Sequence, residues 1–206
     1  MPEDFKKWEF ERDRSVLLVI DMQNDFVLEG AVMQVPEARN QVPEIEKLIG
    51  KCRELGVPVI YTIQETDALF CPLEIAAFPH LKDSGMRKDT QGQHVIDELA
   101  PSPEDMIIKK RRFSAFYQTD LEIILRCIRG GINRVDTVII CGTVTNICCE
   151  STARDAFFRD YKVVFGTDIC SARTPESHNA TLVNMEVFGR NMDCESIIHA
   201  LENGKG

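Results

Sequence analysis

The chain has 206 residues and carries 24 Lys+Arg against 33 Asp+Glu, a formal net charge of −9, with 44% hydrophobic and 28% charged residues. That length suits one domain with a sizeable core, and the apolar content excludes disorder as the main state. The acidic balance speaks against a nucleic-acid partner, Lys109-Lys110-Arg111-Arg112 being the single basic run, and no stretch approaches the ~20 apolar residues of a membrane span.

The first residues, Met1-Pro2-Glu3-Asp4-Phe5-Lys6-Lys7-Trp8, are charged and lack the apolar centre of a signal peptide, so the expected location is a reducing cytoplasm. Residues 1–14 read as an N-terminal extension, with Trp8 as its anchor to the body or to another subunit, and 15–206 as one domain. Ser15 to Asp21 is a continuous apolar run ending in an acid, the pattern of a buried parallel strand. Asn40 to Leu55 has apolar residues at Val42, Ile45, Leu48, Ile49 and Cys52, a helical spacing closed by Gly56. Val57 to Ile63 is a second strand, and Glu65 to Ala100 reads as a long functional loop with short helical pieces. Met106 to Lys110 is a third strand. Thr119 to Arg129 reads as a helix capped by Thr119 or Asp120 and stopped by Gly130-Gly131. A fourth strand spans Asp136 to Gly142, a helix follows from about Ile147 to Asp160, and a fifth strand runs from Lys162 to Phe165. Pro175 to Val187 is helical, a short strand lies near Asn191-Met192-Asp193, and Glu195 to Leu201 is the last helix.

Alternation of strands and helices predicts a three-layer α/β/α fold around a doubly wound, mainly parallel six-stranded sheet. Chemistry in such sheets gathers outside the carboxyl ends of the strands. That rule selects Asp21, Gln64-Glu65, Lys110 and the Gly142–Cys148 turn. An acid, a base and a thiol thus meet at one rim, the parts of nucleophilic catalysis. A cysteine in the first turn of a helix sits at the positive end of the macrodipole, which favours the thiolate. Read singly, Asp21 and Lys110 are ordinary strand-end residues, and Cys148 and Cys149 are equally well packing residues at a helix–sheet junction. The eight cysteines form no C-x-x-C pair, and no G-x-G-x-x-G or Walker-type loop is present.

Val19-Ile20-Asp21-Met22-Gln23-Asn24-Asp25-Phe26 resembles the opening motif of the isochorismatase-like cysteine hydrolases. Lys110-Arg111-Arg112-Phe113-Ser114-Ala115-Phe116 with Thr119-Asp120-Leu121 is similar to their lysine motif. Gly142 to Cys148 with Glu150-Ser151-Thr152-Ala153-Arg154-Asp155-Ala156 is similar to their nucleophile turn. The resemblance implies that fold, with Asp21 as general base, Lys110 as triad lysine, Cys148 as nucleophile and Cys149 as a packing residue. It also implies a cis peptide between Thr143 and Val144, which would aim the Val144 N–H, with the Cys148 N–H, at an oxyanion. Gln23, Arg112 and Tyr117 are candidates to face the substrate, and each is equally readable as structural.

Within that family the resemblance is nearer to the metal-free amidases and ureido-type hydrolases, such as N-carbamoylsarcosine amidase and the biuret and ureidoacrylate hydrolases. The histidines that hold a metal in nicotinamidases have no counterpart in Thr62 to Phe70, and His80 and His94 lie farther along. The expectation is therefore an amidohydrolase of a small amide, ureido or carbamoyl compound, with no metal and no cofactor, acting as a homodimer or homotetramer. The alternatives are an isochorismatase-type or nicotinamidase-type hydrolase of the same family, a non-catalytic binding member of the fold, and a thiol sensor using Cys148-Cys149. His178 and His199 are expected at a surface or an interface.

Overall fold

Val16, Leu18 and Ile20 turn to one face of a sheet and Leu17 and Val19 to the other, and all five are fully buried. A run that is apolar at every position is what a parallel strand covered on both sides requires. The computed structural model describes residues 8–67, 69–131 and 134–204; residues 1–7 of the expected extension lie outside it. Its sheet comprises β1 (Ser15–Ile20), β2 (Val59–Gln64), β3 (Met106–Lys110), β4 (Thr137–Thr143), β5 (Lys162–Ser171) and β6 (Arg190–Met192). Their spatial order is β3-β2-β1-β4-β5-β6, and every pairing is parallel.

The connecting helices are α1 (Asn24–Val27), α2 (Ala38–Glu54), α3 (Pro72–Ala77), α4 (Leu121–Cys127), α5 (Glu150–Phe157), α6 (Pro175–Phe188) and α7 (Cys194–Asn203). Ile45, Leu48 and Ile49 of α2 pack with Ile197 and Leu201 of α7 under Leu17, Val19, Ile139 and Val164. On the opposite face Leu121 and Leu125 of α4, Ala153 and Ala156 of α5 and Met185 of α6 pack against Val16, Leu18, Ile20, Ile140 and Phe165. Two complete apolar layers explain the strongly buried strands. Truncating a central residue such as Leu48 to alanine costs about 2–5 kcal/mol on general grounds.

Four elements differ from the sequence expectation. β5 continues past Phe165 through Gly166, Thr167 and Asp168 to Ser171. Those polar residues hide the strand in sequence, but the fold gives them partners: the Thr167 carbonyl accepts from the His178 ring at 3.0 Å, and Asp168 Oδ1 accepts from the Cys194 N–H at 2.8 Å. α4 ends at Cys127, earlier than Arg129, because the chain turns through Ile128–Gly130 with Arg129 at φ +67°. The helix expected from Ile147 starts instead as a π-helical turn over Thr145–Cys149, with the Cys149 N–H donating to the Val144 carbonyl at 3.2 Å. Asn24–Val27 is a helical turn the sequence did not signal.

The segment before β1 packs on the body. Phe10 is buried in the α2/α7 layer, and the Trp8 carbonyl accepts a hydrogen bond from Arg190 at 3.5 Å. Among the described residues no helix is long and apolar enough to cross a membrane.

Candidate active site

The strand order reverses its direction of growth between β1 and β4, so connections leave their carboxyl ends toward opposite edges and open a crevice there. Register sets what meets in it. Ile20 is level with Thr62 of β2 and Gly142 of β4, while Gln64 is level with Lys110 of β3. Asp21 is thus one residue past the end of β1, flanked by β2 and β4. Its backbone takes the left-handed conformation, φ +48°, which Asp tolerates better than most residues. The Asp21 N–H donates to the Thr62 carbonyl at 3.2 Å, and Thr143 Oγ1 donates to the Asp21 carbonyl at 2.8 Å. Gly142 makes this approach of β4 to β1 possible: at φ +115°, a Cβ there would lie 2.1 Å from the Ile20 carbonyl oxygen.

β3 lies two strand spacings from β1, about 9.5 Å, a gap that only a long side chain spans. Lys110 crosses it under β2 and places Nζ 2.6 Å from Asp21 Oδ2, with both side chains fully buried. Lys110 Nζ also donates to Gln64 Oε1 at 2.7 Å and the Arg112 carbonyl at 3.3 Å, and lies 3.5 Å from Cys148 Sγ. Burial opposes the ammonium, but Asp21 and Cys148 together hold its pKa above the ordinary lysine value. Thr62 Oγ1 donates to Asp21 Oδ1 at 2.6 Å. Oδ2 is buried against Lys110 Nζ, and the Asp21 carboxylate is near enough to Cys148 for its charge to act on the thiol.

Cys148 is delivered by the π turn after β4, following a cis peptide between Thr143 and Val144. Single π turns recur at functional sites because they re-aim one side chain inside a helix. Burial pushes the Cys148 thiol up to about 12; the Lys110 charge works against that shift and the Asp21 charge adds to it. Burial thus works toward the neutral thiol, against the thiolate that a helix-start cysteine suggests. Cys149 faces the other way, buried in the α4/α5/α6 layer against Cys170.

A cavity of about 160 Å³ opens over Cys148. Phe26, Phe78, Leu81, Met86 and Ile147 give it apolar walls, and Gln64, Glu74 and Arg173 supply the polar groups. Much of that wall comes from the Glu65–Ala100 segment, which holds α3 and short 3₁₀ turns at Pro79–Lys82, Gln91–Gln93 and Asp97–Leu99.

Of the three residues considered for substrate contact, none reaches this cavity's lining. Gln23 is fully buried and spends its amide on the backbone: Nε2 donates to the Gln64 and Gln93 carbonyls, and Oε1 accepts from the Gln64 N–H. It pins the loop over the site. Arg112 and Tyr117 line a neighbouring surface depression with Leu73 and Ser151, and the Arg112 guanidinium is occupied by the Phe70 and Arg111 carbonyls.

Sequence reasoning missed the contacts of Thr62 and Thr143 with Asp21 and the place of Glu74 in the cavity lining, which depend on register and loop folding and leave no local signal. His178, expected at a surface or an interface, is half-buried within the chain, its ring 3.1 Å from Thr145 Oγ1 in the π turn. His80 and His94 are exposed, and among the described residues no three His, Cys, Asp or Glu side chains are grouped so as to hold a metal ion.

Residues 15–196 match the isochorismatase domain. The chain is 36% identical over 180 residues to a probable inactive nicotinamidase from Arabidopsis thaliana, an alignment covering 85% of this chain and 89% of the relative. It is 31% identical over 215 residues to the ureidoacrylate amidohydrolase RutB of Acinetobacter baylyi, covering 94% and 86%. Among solved structures, a cysteine hydrolase from Pseudomonas syringae pv. phaseolicola superposes with a TM-score of 0.90 at 29% identity, covering 98% of this chain and 99% of that one. The chain belongs to the isochorismatase family.

Proposed function

We propose that this member of the isochorismatase family, a hydrolase of C–N bonds in amides, acts on a small amide, ureido or carbamoyl compound through a Cys148 thioester. The observation that carries the reading is the Lys110 ammonium held between Asp21 Oδ2 and Cys148 Sγ, with Cys148 lining a small cavity. The similarity to a ureidoacrylate amidohydrolase supports the ureido class.

The thiol needs a base, and the buried Asp21 carboxylate whose charge acts on it supplies one. As substrate enters, Cys148 gives its proton to Asp21 and Sγ bonds to the carbonyl carbon. The oxyanion rests against the Val144 and Cys148 N–H groups, each commonly worth ~2.7–4 kcal/mol in such sites. Collapse breaks the C–N bond, and Asp21 returns the proton to the leaving nitrogen. Water then adds to the thioester carbonyl, with Asp21 again the base, and releases the acid and the thiol. Lys110, 2.6 Å from Oδ2, holds Asp21 in place throughout.

The test is ammonia or amine release from a panel of short amides, ureido acids and carbamoyl compounds, with acyl-Cys148 trapped by acid quench and located by peptide mass. Turnover with the acyl group on Cys148 is expected. Turnover without modification of Cys148, or no turnover across the panel, defeats the proposal.

A further inference from the structure

Glu74, on the short helix α3, is the unexplained charge in the cavity. Its side chain is 12% exposed, and Oε1 is buried with no hydrogen-bond partner among the described residues. The nearest cation, Arg112 Nη1, stands 3.9 Å away and is already bonded to the Arg111 carbonyl at 2.6 Å. Oε2 meets only a long contact from Gln64 Nε2 at 3.5 Å. A buried carboxyl oxygen left without a donor is costly, and natural proteins leave one mainly where something else supplies the donor. Burial raises the pKa of this carboxyl, with Arg112 and Lys110 opposing the shift.

Position makes the vacancy informative. Glu74 lines the same cavity as Cys148, and Gln64 joins the two groups: its Oε1 accepts from Lys110 Nζ, which lies 3.5 Å from Cys148 Sγ, while its Nε2 faces Glu74. The other lining groups near Glu74, Phe78 and Phe113, have no hydrogen-bonding side-chain atom. Glu74 Oε1 is therefore an acceptor without a donor among the described residues, in the same largely apolar cavity that Cys148 lines.

We infer that Glu74 is a specificity-determining residue that accepts a hydrogen bond from an N–H on the substrate's scissile nitrogen, so that the site selects primary or secondary amides and ureides over esters of the same shape. This deepens the proposed function and rests on it. An ester carries an oxygen where the amide carries N–H, so it would bring two acceptors together in a dry site and leave Glu74 unpaired. Sites built around a substrate N–H reject analogues that lack it for this reason.

The experiment uses an isosteric pair of thiol alkylators, N-methyliodoacetamide and methyl iodoacetate, which differ by N–H against O. In each reaction Cys148 Sγ bonds to the methylene carbon, the C–I bond breaks with loss of iodide, and the thiol proton passes to Asp21. Rates at Cys148 are followed by peptide mass and divided by the rates with glutathione, which removes intrinsic reactivity. The intact protein is expected to favour the amide by about tenfold, the size of one hydrogen bond to a charged acceptor. Glu74→Leu is expected to bring the two normalised rates within about twofold of each other, and Glu74→Ala, which adds no bulk, to do the same. An unchanged preference in both variants, or no preference in the intact protein, overturns the inference alone while amide turnover through Cys148 still stands. A Cys148 that neither reagent modifies, in a protein without amide turnover, overturns the proposed function and this inference with it.

Discussion

Lys110 Nζ lies 2.6 Å from Asp21 Oδ2, and neither side chain is reached by solvent. A buried ion pair repays its desolvation only while both members are present; removing one leaves a bare charge, at a cost of about 3–5 kcal/mol. Asp21→Asn and Lys110→Met are therefore expected to lower stability by about that amount each, and the double variant by less than their sum. Each single variant is also expected to lose ~10²–10⁴-fold in kcat, since asparagine cannot take the thiol proton and an Asp21 without Lys110 is no longer held in place. Urea unfolding beside kcat at a temperature where all variants are folded separates the two effects. Ordinary strand-end residues at these positions would cost little activity and little stability when replaced; near-normal turnover, with small and additive losses of stability, would restore that simpler reading.

Cys148→Ala is expected to abolish turnover, whereas Cys149→Ala keeps most of it. Adjacent residues on a helical turn point ~100° apart, and here Cys148 lines the cavity while Cys149 is buried against Cys170. The Cys149 change should appear as a modest loss of melting temperature. The reverse outcome, an active Cys148 variant and a dead Cys149 variant, would place the nucleophile one residue later.

The pH dependence of alkylation follows from the thiol being held at about 12 by burial. The folded protein keeps its proton through the range in which a free cysteine, near pKa ~8.5, loses it. In Asp21→Asn, where no carboxylate takes the thiol proton, the alkylation rate of Cys148 should thus climb nearly tenfold per pH unit from about 7 to 10 without levelling at the ordinary cysteine value. A plateau below pH 8 would show a resting thiolate. The sign for stability is set the same way. A raised folded pKa favours the native state fully below the unfolded value, and that contribution fades as pH rises toward 12. Cys52 and Cys194, also raised to about 12, add to the same alkaline loss.

Turnover is expected to survive exhaustive chelation and to be unchanged by added zinc, manganese or iron. The carboxylates after β2 are otherwise engaged: Glu65 accepts from Gln93 and Arg111, and Asp67 Oδ1 accepts from the Leu69 N–H. Loss of activity on chelation, restored by one metal, would move the protein toward a nicotinamidase-like chemistry.

The sequence by itself determined the strands, their apolar faces and the residues at their carboxyl ends. Val16 to Ile20 can only be a strand covered on both sides, and an α/β alternation then sends Asp21, Lys110 and the Gly142–Cys148 turn to one rim, because parallel strands place all their carboxyl ends together. Those signals are local, carried by residue type and period. What only the tertiary structure decided is which side chains meet. That Lys110 reaches Asp21 depends on β2 lying between β1 and β3 in register, and Thr62, which bonds Asp21 Oδ1, is indistinguishable in sequence from any strand threonine. Gln23 sits inside the opening motif yet serves the backbone of a loop folded from residues 64 to 95. Glu74 reaches the cavity only because that loop closes over it. The protonation of Cys148 was decided there too: the helix start speaks for a thiolate, but complete burial outweighs it, and burial is a property of the whole fold.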